Sequence, residues 1–523
     1  MLTPKQLMQE GRDIPWLLQQ WVDRTPDKVF LIWEPFGAQT RQWTYVAFHS
    51  EVISFAAGLA QQGVTFGDKV LLHLDNSPEF IISWFACAQL GAIVVSTNTR
   101  SVARDLSYFA EHAEVVGAIT SPGFSQLICD STGDIEFLVV TDNDAGERNS
   151  IPADLNCVAW QQLQECTAEC PSRPAEAMAD LGIQYTSGTT SRPKAVLWTH
   201  ANALWGAQLN AAHMRLSEVD ITLTFLPLFH TNAQSYSMLG TLWVGGTIVV
   251  QPKFSASRFW PISLKHQCTW CSMIPFVFKA LASQEIPEKH AYKFWGPAVH
   301  LPEIDQAFKL TTIGWWGMTE TITQGIVGDL SHPGPRGNIG RASYGYDIKI
   351  VDVDGKPTVP GQRGALFIRG ERGVCLFKEY YKNPEATRDA FDDDGWFETG
   401  DLIQIGEHGE LFFSDRDKDM LKVGAENVAA SEIESVINAT GWVDECAVVG
   451  QKHSMLDEVP VVFVIARPDA PKDLNLRIID VCKENLADFK VVHKVFIVDS
   501  LPRSTLEKIN KKELRDSLDV IEV

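Results

Sequence analysis

Short β-branched and aliphatic runs recurring between longer stretches with helical spacing constrain this chain more than any other feature. KVLLHL (Lys69 to Leu74), GAIVVS (Gly91 to Ser96) and EFLVVTD (Glu136 to Asp142) set that rhythm, which argues for parallel α/β layers. The longest apolar run, Phe80 to Val95, is interrupted by Gln89 and Gly91. It falls short of the length that spans a bilayer, so FIISWFACAQLGAIVV divides into a buried helix and then a strand.

Further along, Asn143 to Asp180 is rich in Ala, Pro, Asn, Glu and Cys and reads as an irregular connection. DIKIVDVDGKPTVPGQRGALFIRG carries alternating strands with DG and PG turn signals, which predicts a small β-rich subdomain. The composition shifts again at DRDKDMLKVG. Beyond it lies a compact α+β unit: a helix from about Ala430, strands at ECAVVG and VPVVFVIA, a helix near Leu476 to Asn485, then KVFIVDSLP and a basic end. At 523 residues the chain exceeds what one core usually supports, so more than one domain is expected. The fold class is α/β: a large N-terminal domain of layered sheets with a small β-rich subdomain, followed by a smaller α+β C-terminal domain.

Charge narrows the partners. With 45 basic and 66 acidic residues the net charge is −21, and such a surface repels phosphate backbones and anionic head groups. No nucleic-acid partner and no integral membrane segment are expected. A small anionic ligand remains compatible, because local amides and one lysine override the global field at contact distance. Ten cysteines are too sparse for a disulfide framework, and the N-terminal stretch lacks a secretory pattern, so a cytoplasmic setting is the default. Cys268-Thr-Trp-Cys271 has the spacing of a redox pair or half a zinc site. It is read as core packing; stoichiometric zinc in the purified protein would overturn that.

The densest chemical signal is Tyr185-Thr-Ser-Gly-Thr-Thr-Ser-Arg-Pro-Lys194. Its hydroxyls, glycine and lysine, on a turn of amides, can wrap phosphate oxygens. It is not the common P-loop, because Pro193 precedes Lys194 and Ala195 follows. The loop resembles the signature of the adenylate-forming superfamily, which holds acyl-CoA synthetases, luciferases and peptide-synthetase adenylation domains. GWWGMTET (Gly314 to Thr321), GWFETGD (Gly395 to Asp401), DRDKDMLKVGAENV (Asp415 to Val428) and LPRSTLEKINKKELR (Leu501 to Arg515) follow in that family's order. TSRPK, FSASRFW (Phe254 to Trp260), GMTETI and FKEY (Phe377 to Tyr380) are similar to the crotonobetaine/carnitine-CoA ligase branch.

The resemblance implies an ATP-dependent, AMP-forming acid–CoA ligase that acts through an acyl-adenylate on a small or medium acid, betaine-like ones included. Thr186, Ser187, Gly188, Thr189, Thr190 and Lys194 would hold the β- and γ-phosphates. Trp316 would flank the adenine, its indole replacing the usual tyrosine. Thr319 would contact the α-phosphate and Glu320 would hold Mg2+, a hard cation suited to oxygen ligands. Asp401 would accept the ribose hydroxyls, with Arg416 at ribose or phosphate. Lys508 would bridge carboxylate and α-phosphate; composition alone does not choose it over Lys511 and Lys512. The hinge maps to Lys418, dividing the chain into residues 1–417 and a mobile 418–523. After rotation Gly424, Ala425 and Glu426 would line the route of the CoA pantetheine, with Phe229 and His230 at the acyl-side entrance. Parts of Trp205 to Ala212, Trp315 and Ile322 to Gly325 would wall the acid.

Ser191, Ala195, Ala425 and Glu507 stand where the family usually has glycine. They motivate one alternative, a nucleotide-binding protein with weak catalysis; a second, transfer of the acyl group to a carrier-protein thiol or an amine, also stays open. A homo-oligomer is compatible with either.

Overall fold

The structure is a computed structural model that describes the chain apart from residues 1–2, 145, 152–154, 187–192, 353, 417–419, 425, 503–508, 510 and 522–523. One eight-stranded sheet is built on the parallel strands Lys69–His73, Ile93–Ser96, Val115–Thr120 and Phe137–Val140. The apolar run at 80–95 divides as its pattern predicts, into the helix Pro78–Leu90 and the strand Ile93–Ser96. Gly91 makes that break at φ +74°, a left-handed position that suits glycine at a helix end. The sheet continues into Asp180–Thr186, parallel to Ile93–Ser96, and then the antiparallel Lys194–Thr199.

A second sheet of 13 strands has a parallel centre: Ile221–Thr224, Thr247–Val250, Trp270–Ser272, Phe294–Ala298 and Thr311–Trp316. The β-rich region at 347–370 forms the antiparallel strands Asp347–Val351 and Arg363–Arg369. It is not separate from the larger sheet. Asn338–Ala342 pairs with Ile326–Val327 on one side and Leu411–Arg416 on the other, so hydrogen bonding runs through without an exposed edge. The described residues between Asn143 and Ala179 hold little regular structure: three two-residue strands and the helix Trp160–Gln164.

The third sheet draws its strands only from Met420 onward: Met420–Val423, Glu426–Ala429, Val443–His453, Asp457–Ala466 and Lys494–Ile497. The helices Ala430–Ala439 and Leu474–Asn485 pack on it around Ile433, Ile437, Val448, Val462 and Ile478.

Much of the tryptophan goes to packing, with Trp84, Trp160, Trp198, Trp270 and Trp295 fully buried. Cys268 and Cys271 are buried free thiols in the main core. Burial pushes both thiols up, away from the thiolate that metal binding or redox exchange needs. No helix among the described residues is long and apolar enough to cross a membrane.

Candidate active site

A cavity of about 440 Å³ opens where the parallel strands of both large sheets end, the crevice in which open α/β sheets place ligands. Ser96, Thr97 and Asn98 lie at the end of one strand, Leu226, Pro227 and Phe229 to Asn232 follow another, and Trp315 with Gly317 to Glu320 close a third. Glu426 of the third sheet and Ala487, Phe489 and Lys490, on a short turn before its strand Lys494–Ile497, complete the lining.

Of the loop at 186–194, Ser187, Gly188, Thr189, Thr190 and Ser191 lie outside the described residues. Thr186 and Lys194 form the base of the loop as register partners, and both line the cavity. Lys194 Nζ stands 4.5 Å from the centre of the Tyr380 ring, a cation–π distance. Ala195 is buried beside Ile93, Val95, Ala113, Ile183 and Leu197. Its methyl is core filling, so alanine in place of the family's glycine crowds nothing there.

Thr319 and Glu320 sit on a tight turn after Thr311–Trp316. Glu320 is 4% exposed and accepts from the Tyr380 hydroxyl at 2.9 Å. Burial and the Glu320 charge hold that phenol protonated, so Tyr380 stays a donor. The Thr319 hydroxyl accepts from Thr231 at 3.2 Å, and its carbonyl accepts from Trp198 Nε1 at 2.9 Å. Ile322 ends the turn at φ +66°, a costly conformation for a β-branched residue that persists only where packing fixes it. Ile322 is fully buried, and its methyl lies against Gly206, where a side chain would find only 3.0 Å.

Trp315 and Trp316 point to opposite faces of their strand. Trp315 lines the cavity. Trp316 instead packs in the core of the β-rich region, and its Nε1 donates to Asp401 Oδ2 at 2.7 Å. Asp401 is 4% exposed, lines the cavity and lies opposite Arg416 in register. Arg416 is described in its backbone only. Trp205 to Ala212 do not line the cavity; that helix packs behind it, with Asn210 bonded to Gln324 and to the Tyr236 carbonyl.

Across the cavity mouth, His230 Nε2 lies 3.2 Å from Glu426 Oε2, joining the first large domain to the third sheet. Burial alone would raise the Glu426 carboxyl. The His230 charge and hydrogen bond, with Asn98 and Arg100, outweigh it and hold the carboxyl below its ordinary value. Gly424 takes φ +65° two residues earlier, and Ala425 lies outside the described residues. Lys418 and Lys508 also lie outside them.

No sequence motif signals the rest of this seam. Arg100 bonds Asp488 at 2.9 Å and lies over the Phe489 ring. Lys490 is 7% exposed and pairs with Glu432 at 2.7 Å and with Asp105 at 3.9 Å. Burial raises the Asp105 carboxyl despite that lysine.

The described residues thus offer a lysine at the base of the hydroxyl-rich loop, buried carboxylates fixed by aromatic donors, and an imidazole paired with a carboxylate of the third sheet. The AMP-binding enzyme family matches this chain over residues 18–381, and its C-terminal domain over residues 432–508. The chain belongs to the AMP-binding enzyme family. A crotonobetaine/carnitine–CoA ligase of Salmonella agona is 33% identical over 520 residues, covering 95% of this chain and 98% of that protein. Among solved structures, a double mutant of the o-succinylbenzoate CoA synthetase of Bacillus subtilis, bound to a product analogue, superposes with a TM-score of 0.82. It is 26% identical over 96% of this chain and 98% of that one. The same synthetase in complex with AMP gives 0.67, at 25% identity over 96% and 97% of the two chains. This AMP-binding enzyme is an acid–thiol ligase of the AMP-forming acyl-CoA synthetase class, with a carboxylic acid, ATP and CoA as substrates.

Proposed function

We propose that the enzyme activates a small or medium carboxylic acid, betaine-like acids included, and that its chain divides at Lys418 into residues 1–417 and a rotating 418–523. The acid's carboxylate oxygen attacks the α-phosphorus of ATP, the bond to pyrophosphate breaks, and an acyl-adenylate forms. The CoA sulfur then attacks the acyl carbon and AMP leaves with the electron pair of the broken bond.

Thr186 to Lys194 hold the β- and γ-phosphates in this reading, Thr319 meets the α-phosphate and Asp401 accepts the ribose hydroxyls. The residues present suit Mg2+: Glu320 is a buried carboxylate already oriented by Tyr380, and carboxylate with phosphate oxygen is the donor set that cation takes. When bound there, Mg2+ supplies neutralisation of phosphate charge. Lys194, Arg416 and Lys508 add the positive charge that a −21 chain must concentrate locally.

One observation carries the two-step reading. Glu426 of the third sheet and Lys490 of the turn beside it reach the same cavity as Lys194, Glu320 and Asp401. The seam between His230 and Glu426 is then the thiol-transfer arrangement, with Gly424 to Glu426 beside the pantetheine route. The higher TM-score against the product-analogue complex than against the AMP complex of one synthetase supports it.

Incubation with ATP, Mg2+, CoA and a panel of acids is expected to release AMP and pyrophosphate in equal amounts, with AMP release dependent on CoA. AMP formation that never depends on CoA favours a carrier thiol or amine as acceptor. Nucleotide binding with no turnover of any acid would defeat the proposal.

Trp316→Phe tests the ribose assignment. Removing a donor to a buried carboxylate is worth about tenfold in binding, so KM for ATP is expected to rise by about that factor while kcat changes much less. A kcat that falls as far as KM rises would place Asp401 in the chemical step instead.

A further inference from the structure

Behind His230 the chain winds as a π-helix over Asn232–Leu239, a rare form that recurs at functional sites. Two sets of its polar residues have different surroundings. Gln234 bonds Gln184 at 3.1 Å and Ser96 at 3.1 Å, deep in the core. Asn232 and Tyr236, one turn apart, face the cavity. Asn232 Oδ1 is buried with no hydrogen-bond partner among the described residues. The Tyr236 ring is 4% exposed, and its hydroxyl bonds none of the described residues. Burial raises that phenol, so it stays protonated and able to donate.

Two glycines create the space these groups occupy. A Cβ on Gly317 would stand 2.6 Å from Tyr236 Oη, and one on Gly296 would enter the Trp315 indole at 1.7 Å. Tyr236 and Trp315 therefore meet edge to face at 5.6 Å and wall off this part of the cavity. Phe229, Ile274 and Met318 supply apolar sides. The charged lining residues are Lys194, Glu320, Glu398 and Asp401, with Asp105, Glu426 and Lys490 at the seam, and none of them hydrogen-bonds Asn232 Oδ1. A volume of about 440 Å³ shared by nucleotide and acid leaves little length for an acyl chain.

We propose that Tyr236, with Asn232, determines acid specificity: it ends the acid chamber after a short chain and hydrogen-bonds an uncharged hydroxyl on that chain, so short hydroxy acids are the preferred substrate class. The proposal rests on the ligase reading above. A site whose buried polar groups are left unpaired rejects an analogue far more strongly than an apolar pocket rejects a missing methylene.

The test compares kcat/KM for straight-chain acids from acetate to octanoate, for 3- and 4-hydroxybutanoate, and for a betaine without a hydroxyl. For the native enzyme, the better hydroxybutanoate is expected to exceed butanoate by about tenfold or more. Tyr236→Phe, which keeps the ring, is expected to lower hydroxybutanoate kcat/KM far more than butanoate kcat/KM and so remove most of that ratio. Tyr236→Ala is expected to move the preferred alkanoate to a longer chain. An unchanged ratio in Tyr236→Phe, an unchanged chain-length optimum in Tyr236→Ala, or a betaine faster than both hydroxybutanoates overturns the assignment and leaves the ligase reading standing. No turnover of any acid by the native enzyme strikes at the ligase reading itself, and this proposal falls with it.

Discussion

Replacing Lys508 with alanine is expected to lower acid-dependent pyrophosphate release by about a hundredfold to a thousandfold, the usual cost of one positioned charge-stabilising donor. Thioester formation from a supplied acyl-adenylate and CoA is expected to survive. Adenylation brings a carboxylate against a phosphate, and charge accumulates on the α-phosphate and leaving group as the new bond forms, so a cation placed between them acts chiefly in the transition state. The second step starts from a neutral acyl carbon and needs access for a thiol. A lysine that must enter for one step and withdraw for the other has no share in the later barrier. Equal loss of both half-reactions would contradict the rotation at Lys418, and loss of the second step alone would reverse the assignment. Glu507 sharpens the test, because a negative neighbour beside that lysine weakens its field. Glu507→Gly is expected to raise the adenylation rate or leave it unchanged, and never to abolish it.

What could be read from the sequence follows the range of the interactions involved. Period and turn chemistry are local, so the break at Gly91 and the helix Ala430–Ala439 are legible in neighbouring residues. The seam is not: Arg100 meets Asp488 across 388 positions, and no pattern in either segment names the other. Burial direction is also lost. GWWGMTE presents two adjacent indoles, and only the strand's alternation, set by which sheet face meets the core, sends Trp315 to the cavity and Trp316 to Asp401. Ala195 looks like a loss of loop freedom when the motif is read alone, yet its methyl fills the sheet core. The π-helix at Asn232–Leu239 is invisible in composition, because its winding answers to packing against Asn210 and Gln184 and not to local propensity.

Glu426→Gln is expected to do the reverse of Lys508→Ala: pyrophosphate release in the first turnover continues, while CoA-dependent AMP release drops by about tenfold or more. The carboxylate is 8% exposed and its partner across the seam is His230, 3.2 Å away, with Asn98 and Arg100 assisting. A neutral amide keeps the shape and loses the charge, so the closed arrangement weakens relative to other domain orientations while the nucleotide contacts remain. The pH dependence has a definite sign. The Glu426 carboxyl is held below its ordinary value by the seam, so the stabilisation it lends to closure is fully present above the ordinary carboxylate range and disappears as pH falls through the depressed value. Thiol transfer is therefore expected to lose rate on the acid side in the native enzyme, and Glu426→Gln is expected to flatten that limb. Arg100→Ala, acting on the same seam through Asp488, is expected to impair the same step without touching pyrophosphate release. Were both variants to slow adenylation and thiol transfer alike, the contact between His230 and Glu426 would be a general prop of the fold and not the latch of the second step.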